Sequence, residues 1–355
     1  MASFHIVNFG CRATQADAAA IERQLFECGL ARTSESDSAD VIVVNTCTVT
    51  AAADAQARQT IAQMARRNPA ARVVVTGCYA QRAPEELAAQ QGVAWVVGNS
   101  HKSEIARLVT ATAEGNAHPV PGRPDLVPLV RLQSAPAAVL PEASRRAPIL
   151  TGDIFELRDI AVPSIAPGEN GHTRPTLKIQ DGCNHRCAYC VIPFVRGRSR
   201  SLAPDRVVME IRKAAALGAK EVVLSGIDLG SYGRDLTPQG EFLGLLRRIL
   251  KETQIERLRI SSIEPKDVTQ DLVAFVAASD RIARHFHIPL QSGCDRTLSA
   301  MHRWYRAAHY ARRMELICEL LPDAAIGADV IAGFPGETEQ DHRATLQFIE
   351  GLPLT

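Results

Sequence analysis

Three thiols, Cys183, Cys187 and Cys190, fall within one short stretch, TLKIQDGCNHRCAYCVIPFVRGRSRS (176–201), directly after a β-like run. A Cys-x3-Cys-x2-Cys spacing can hold three corners of a cubane iron–sulfur cluster, whereas four thiolates would saturate it. The fourth iron is then open, and an open position on a metal site is where a substrate or cosubstrate binds. The competing reading is a zinc knuckle in which His185 supplies a fourth ligand. His185 lies two residues from Cys183 and two from Cys187, so one ion would need two very tight chelate loops.

The elements that must position such chemistry come in two groups. In the first hundred residues, strand-like runs at Phe4 to Phe9, Val41 to Thr46, Arg72 to Thr76 and Val93 to Val97 alternate with helical stretches at Gln15 to Leu30, Ala51 to Arg67 and Pro84 to Gln90. Such alternation implies an open parallel sheet with helices on its faces. Cys11, Cys47 and Cys78 each follow the end of a strand, which puts all three on loops at the carboxyl edge, where open α/β sheets build their sites. Three converging thiolates there define a second incomplete cluster seat. Cys28, in LFECGL, and Cys318, in ELICELL, read instead as small buried hydrophobes on helices.

From about residue 111 to 170 the chain changes character. Ten of its twenty prolines lie between 111 and 175, so this segment reads as a Pro/Ala-rich linker, with GDIFELRDI a possible short strand. Alternation then resumes over residues 171–355. Strands are expected at Leu177 to Gln180, Glu221 to Ser225, Arg257 to Ser261, His285 to Leu290 and Ala325 to Ile331, each followed by a helix. Five β/α repeats suggest a parallel barrel with its active site at the carboxyl ends of the strands. The cysteine loop follows the first strand, and SGIDLGSYG, SSIEP, PLQSG and GFPGET occupy the equivalent ends of the next four.

The 355 residues suffice for two domains with real cores, and 46% hydrophobic with 22% charged residues is ordinary globular composition. A formal net charge of +1 excludes a globally basic nucleic-acid binder, so any such role must rest on local patches. No apolar run reaches membrane-span length, and MASFHIVNFG reads as a strand and not a signal peptide; a cytoplasmic protein without membrane contact is expected. Nine cysteines in a chain of this size do not make a disulfide scaffold.

CNHRCAYC, with Tyr189 just before the third cysteine, resembles the signature of radical S-adenosylmethionine (SAM) enzymes, and IQDGC with VIPFVRGRSRS resembles their methylthiotransferase branch. FGCRATQAD, NTCTVTAAAD and TGCYAQ resemble that family's amino-terminal domain, Arg12 standing where Lys is more usual. The resemblance implies two [4Fe-4S] clusters. One, on Cys183, Cys187 and Cys190, would bind SAM and cleave it to a 5′-deoxyadenosyl radical; the auxiliary one, on Cys11, Cys47 and Cys78, would hold the sulfur to be inserted. It further implies a SAM site lined by Tyr189, Gly226, Ser262, Glu264, Gln291 and Gly333, with no catalytic residue beyond the cluster ligands, and an electron donor such as flavodoxin or ferredoxin. Cys294 stands where the family more often has Ser and is expected to be a bystander.

Over the barrel the family fold is a partial (β/α)6 barrel. Against that resemblance the sequence is expected to stop where the sixth strand should begin, either as a fragment or with the family's RNA-binding β-barrel lost, and the chain alone is expected to be poorly active or to need a partner surface. RISSIEP with HIPLQSG most resembles the enzymes that add a methylthio group to C2 of N6-threonylcarbamoyladenosine at position 37, in the tRNA anticodon loop; those acting on N6-isopentenyladenosine or on a ribosomal protein come next. Arg196, Arg198 and Arg200, and the run His302, Arg303, Arg306, Arg312 and Arg313, are the expected basic rim for RNA phosphates. Two readings from other classes stay open: a radical enzyme of unrelated outcome, and a non-catalytic iron–sulfur or zinc scaffold.

Overall fold

The computed structural model describes residues 2–111, 146–161 and 174–355. In the first domain, β1 (Ser3–Asn8), β2 (Ala31–Arg32), β3 (Val41–Thr46), β4 (Arg72–Gly77), β5 (Val93–Gly98) and β6 (Ile149–Leu150) form one all-parallel sheet in the order β2-β1-β3-β4-β5-β6. β3 reads VIVVNT and is buried at every position, as a central strand covered on both faces must be. Successive side chains point to opposite faces. Val41 and Val43 join Phe4, Val74 and Val97 under α1 (Arg12–Glu27) and α5 (Ile105–Ala111), while Ile42 and Val44 join Val73, Val75 and Val96 under α2 (Ala51–Arg67), α3 (Cys78–Arg82) and α4 (Pro84–Ala88).

β7 (Thr176–Lys178) opens the second domain, and a short antiparallel arm, β8 (Gln180–Asp181) with β9 (Arg200–Ser201), brackets the cysteine loop and α6 (Ile192–Arg196). Then follow α7 (Pro204–Ala216), β10 (Glu221–Ser225), α8 (Phe242–Glu252), β11 (Arg257–Ile260), α9 (Gln270–Ala277), β12 (His285–His287), α10 (Asp295–Ala300), α11 (Ala307–Leu320), β13 (Ala325–Gly327) and α12 (Glu339–Glu350). β7, β10 and β11 pair in parallel, as do β12 and β13, and the bridges Leu258↔Ile282 and Ser262↔His287 join the two sets into one parallel wall in chain order. This is the open parallel barrel expected from the β/α repeats. Its helices bury one continuous core, including Val207, Ile211, Leu245, Ile249, Leu272, Tyr310 and Met314. The Thr355 amide donates to the Ile326 carbonyl at 3.0 Å, so the end of the chain lies along β13.

Two expectations need correction. GDIFELRDI is not a strand: Ile154–Glu156 forms a 3-10 turn, and the strand of this region is the preceding Ile149–Leu150, which adds an edge to the first sheet. Cys28 is exposed, because α1 ends at Glu27 and leaves the thiol at the C-cap, beyond the buried stripe. Cys318 is half-buried against the barrel core. Most of the expected linker, residues 112–145 and 162–173, lies outside the described residues.

Candidate active site

Because β1, β3 and β4 are neighbours in the sheet, the loops after them emerge side by side, carrying Cys11, Cys47 and Cys78. Asn45 ties these ends together: its Nδ2 donates to Asn8 Oδ1 at 2.7 Å and to the Thr14 carbonyl at 2.8 Å. Thr50 Oγ1 accepts from the Ala53 amide at 3.1 Å, starting α2 just past Cys47. Gly77, at φ +103°, precedes Cys78; a Cβ there would stand 2.2 Å from the Thr46 carbonyl oxygen, so only glycine lets the Cys47 and Cys78 loops run this close. Cys11 is exposed at the start of α1, whereas Cys47 and Cys78 are buried. Burial pushes the Cys47 thiol up, and the nearby Cys78 and Cys11 push it further. The topology therefore gathers this trio.

In the second domain Gly182, at φ +71°, is forced by the approach of the Arg198 carbonyl, which a Cβ would meet at 2.1 Å. The loop after it is pinned at both ends: the Cys183 amide donates to Gly197 O at 3.1 Å and the Cys190 amide to Cys187 O at 3.1 Å. Gln180, which sequence reading counted only as a strand residue, is the staple of the site. Its Oε1 accepts from the Ile227 and Asp228 amides, both at 2.8 Å, and its Nε2 donates to Gly182 O at 2.8 Å and Ser199 Oγ at 2.9 Å. The signal was a second polar side chain, after Lys178, in a strand that Leu177 and Ile179 direct into the core. Burial pushes the Cys183 thiol up to about 12, against a hydrogen bond from the His185 amide, and it raises Cys190 as well. Thiols in such surroundings ionise when a metal displaces the proton.

The zinc reading fares poorly. Among the described residues the one set of three donors within 4.8 Å of one another is Cys183, His185 and Asp228, which leaves out Cys187 and Cys190. His185 Nε2 instead faces Asp228 at 3.3 Å and Lys266 Nζ at 2.8 Å, beside a cavity of about 300 Å³ that Asn184, Ser199 and Ser231 also line. Cys183, Cys187 and Cys190 do not all lie within 4.8 Å of one another, so the three do not close on a single ion.

The expected SAM contacts divide. Tyr189 and Gly333 are exposed on the rim, and Gly333, at φ +74°, has open space where a Cβ would stand. Gly226 packs on Gln180, whose Oε1 a Cβ would meet at 2.9 Å. Ser262 Oγ is 2.8 Å from His287 Nδ1, and Gln291, at φ 66°, bridges to Val330. Glu264 forms a close ion pair with Arg303, and Arg303 Nη1 also donates to Cys187 Sγ at 3.3 Å. Cys294 Sγ donates to Asp341 Oδ1 at 3.2 Å.

The basic rim is corrected at three positions. Arg303 is 4% exposed and turns inward onto the cysteine loop, where its Nη1 donates to Cys187 Sγ. Arg196 and Arg200 are buried at the seam between the domains, where Arg196 pairs with Asp17 at 3.0 Å and Asp181 at 3.1 Å, and Arg200 with Asp181 at 3.3 Å. Lys178 bonds both carboxylates and Lys102 reaches Asp17 at 2.6 Å. Burial opposes ionisation of Asp17, but Lys102, Lys178 and Arg196 outweigh it and hold the carboxyl far below its usual range. Arg198, His302, Arg306 and Arg312 remain exposed, Arg313 is half-buried, and Trp304 and Phe194, missed in the sequence, stand 44% and 60% exposed among them.

A parallel sheet domain with thiols at its edge, docked on an open β/α barrel with a three-cysteine loop after the first strand, is the architecture of a radical SAM enzyme carrying an additional domain. Residues 177–349 match the radical SAM superfamily and residues 3–98 the uncharacterized protein family UPF0004. The chain is 37% identical to the threonylcarbamoyladenosine tRNA methylthiotransferase MtaB of Aquifex aeolicus, over 98% of this chain and 77% of that one. It is 35% identical to MtaB of Bacillus subtilis, over 99% and 71%. It is 34% identical to the tRNA-2-methylthio-N(6)-dimethylallyladenosine synthase of Syntrophobacter fumaroxidans, over 98% and 70%. The chain thus belongs to the radical SAM methylthiotransferase family. Among solved structures it resembles the radical SAM methyltransferase TsrM of Kitasatospora setae (TM-score 0.68, 18% identity, covering 100% of this chain and 71% of that one), a likeness of fold. No helix of the described residues is long and apolar enough to cross a membrane.

Proposed function

We propose that this enzyme places a methylthio group on C2 of N6-threonylcarbamoyladenosine at position 37 of tRNA, in the cytoplasm, with flavodoxin or ferredoxin as electron donor. The observation that carries the reading is the packing of α3, which opens at Cys78, against α6, which follows the Cys183–Cys190 loop, across the domain seam. Asn99 spans it, donating through Nδ2 to the Val195 carbonyl at 2.7 Å while standing 3.6 Å from Cys78 Sγ. Cys183, Cys187 and Cys190 would hold one [4Fe-4S] cluster and Cys11, Cys47 and Cys78 the other. When bound, the first supplies electrons for SAM cleavage and the second the sulfur.

The chain's own residues do the rest. Gln180 fixes the cysteine loop against the Gly226–Asp228 turn, so a ligand there meets a prearranged surface. Arg303, held by Glu264, donates to the Cys187 sulfur. Tyr189, Gly226, Ser262, Glu264, Gln291 and Gly333 would surround SAM. Outside, Arg198, His302, Arg306 and Arg312 offer charge for phosphates, and Trp304 a face on which a base can stack.

The test is expression in a bacterial host stripped of its own tRNA methylthiotransferases, followed by mass spectrometry of tRNA nucleosides. The 2-methylthio derivative of N6-threonylcarbamoyladenosine is the expected product. The isopentenyladenosine derivative would shift the assignment to the second substrate, and no methylthiolated nucleoside would overturn the tRNA reading.

A further inference from the structure

The ion network at the seam does not balance. Lys102, Lys178, Arg196 and Arg200 bring four positive charges, while Asp17 and Asp181 bring two negative ones, and all six are buried. Asp159, at the mouth of the adjoining cavity of about 280 Å³, is exposed and therefore screened by water. A buried surplus of two positive charges is costly unless an anion faces it.

The network adjoins the first domain's thiols, for Asn99, whose Nδ2 stands 3.6 Å from Cys78 Sγ, lines the same cavity as all six charges. Arg196 follows Val195, whose carbonyl takes the Asn99 amide that also reaches Cys78, and α3, which begins at Cys78, packs on α6. The Arg196 Nε is buried without a partner. Burial weakens the hold of Lys102 on its proton, and Asp17 offsets this only in part.

A cubane on three thiolates carries about one net negative charge, and about two once its open iron takes a monoanionic sulfur ligand. We infer that Arg196 and Lys102 are positioning residues of the auxiliary site, whose buried charge matches and so favours a monoanionic sulfur ligand, such as hydrosulfide, on that iron. This rests on the assignment of Cys11, Cys47 and Cys78 to a cluster.

The test uses full-length protein with Cys183, Cys187 and Cys190 changed to Ala, so that only the auxiliary seat remains. Its oxidised cluster, the state whose charge is counted above, is followed by Mössbauer spectroscopy of isotopically enriched protein during titration with sodium sulfide and, separately, with imidazole as a neutral ligand. Lys102→Met and, independently, Arg196→Gln should each weaken hydrosulfide binding on the order of tenfold, the size of one charge acting over about 12 Å at an effective dielectric of about 20. Imidazole binding should hold, and Lys102→Arg should restore the sulfide affinity. Equal losses for both ligands would mean a merely structural role and overturn the inference, as would no loss for either. Absence of any cluster in the triple-alanine parent would instead remove the auxiliary-cluster assignment, and the inference with it.

Discussion

Asp17→Asn is the sharpest probe of how the two domains are held together. Asp17 stands on α1 of the first domain and faces Lys102 at 2.6 Å, Arg196 at 3.0 Å and Lys178 in closer contact still. An amide there keeps the shape and one acceptor but leaves these buried cations against a neutral group. Breaking one partner of a buried ion pair costs ~3–5 kcal/mol. Urea unfolding reads this directly, since Trp95 reports the first domain and Trp304 the second. Adding Lys102→Met to Asp17→Asn should recover more than about 1 kcal/mol, because it removes one of the stranded charges. The pH dependence has a definite sign. The folded carboxyl lies far below its unfolded value of about 3.9, so its contribution is full above that pH and drains away as pH falls toward the folded pKa. The variant's stability should therefore fall less steeply than the wild type's below about pH 4. A loss under about 1 kcal/mol, or strict additivity of the two substitutions, would refute the reasoning.

Arg303→Gln removes the charge-assisted donor to Cys187 and should move the radical SAM cluster's midpoint potential negative by roughly 60 mV, the one-electron equivalent of a tenfold change; a potential that stays put, measured by redox titration, contradicts this. Cys47→Ser should abolish methylthio product while 5′-deoxyadenosine still forms from SAM, as chromatography of the reaction would show. Asp267 is pushed up to about 6, chiefly by burial, with Asp228 adding and Lys266 opposing. An acid raised in the folded state contributes its stability below the unfolded pKa of about 3.9 and loses it as pH rises through 6. Asp267→Asn should accordingly flatten the pH profile of urea midpoints between about 4 and 6 and stabilise the neutral protein by roughly 2–3 kcal/mol; an unchanged slope would count against it.

Both thiol trios were legible because strand ends are legible: the runs before Cys47 and Cys78 are β-branched and apolar, the TLKIQ run before Cys183 alternates polar with apolar, and parallel topology brings carboxyl ends to one edge. Charged residues were legible only as charge. Arg196, Arg200 and Arg303 read as a surface rim, yet each is drawn inward by a carboxylate remote in sequence, Asp17 lying 179 residues before Arg196. Partners at such separation leave no local pattern. Cys28 was misplaced for a different reason, since its apolar neighbours in LFECGL suggested a stripe that the helix does not extend to cover. Gln180 was within reach, as a polar group in a buried strand must find partners, and here those partners are the two loops of the site.

The central claim is that the chain seats two cubanes, one on each thiol trio. Iron and acid-labile sulfide counts on anaerobically reconstituted protein, with Mössbauer spectra to establish cluster type, test it most directly. About eight of each per chain, all in [4Fe-4S] form, is the predicted result, falling to about four when Cys11, Cys47 and Cys78 are changed to Ala. About four in the unaltered chain, undiminished by those three substitutions, would contradict it.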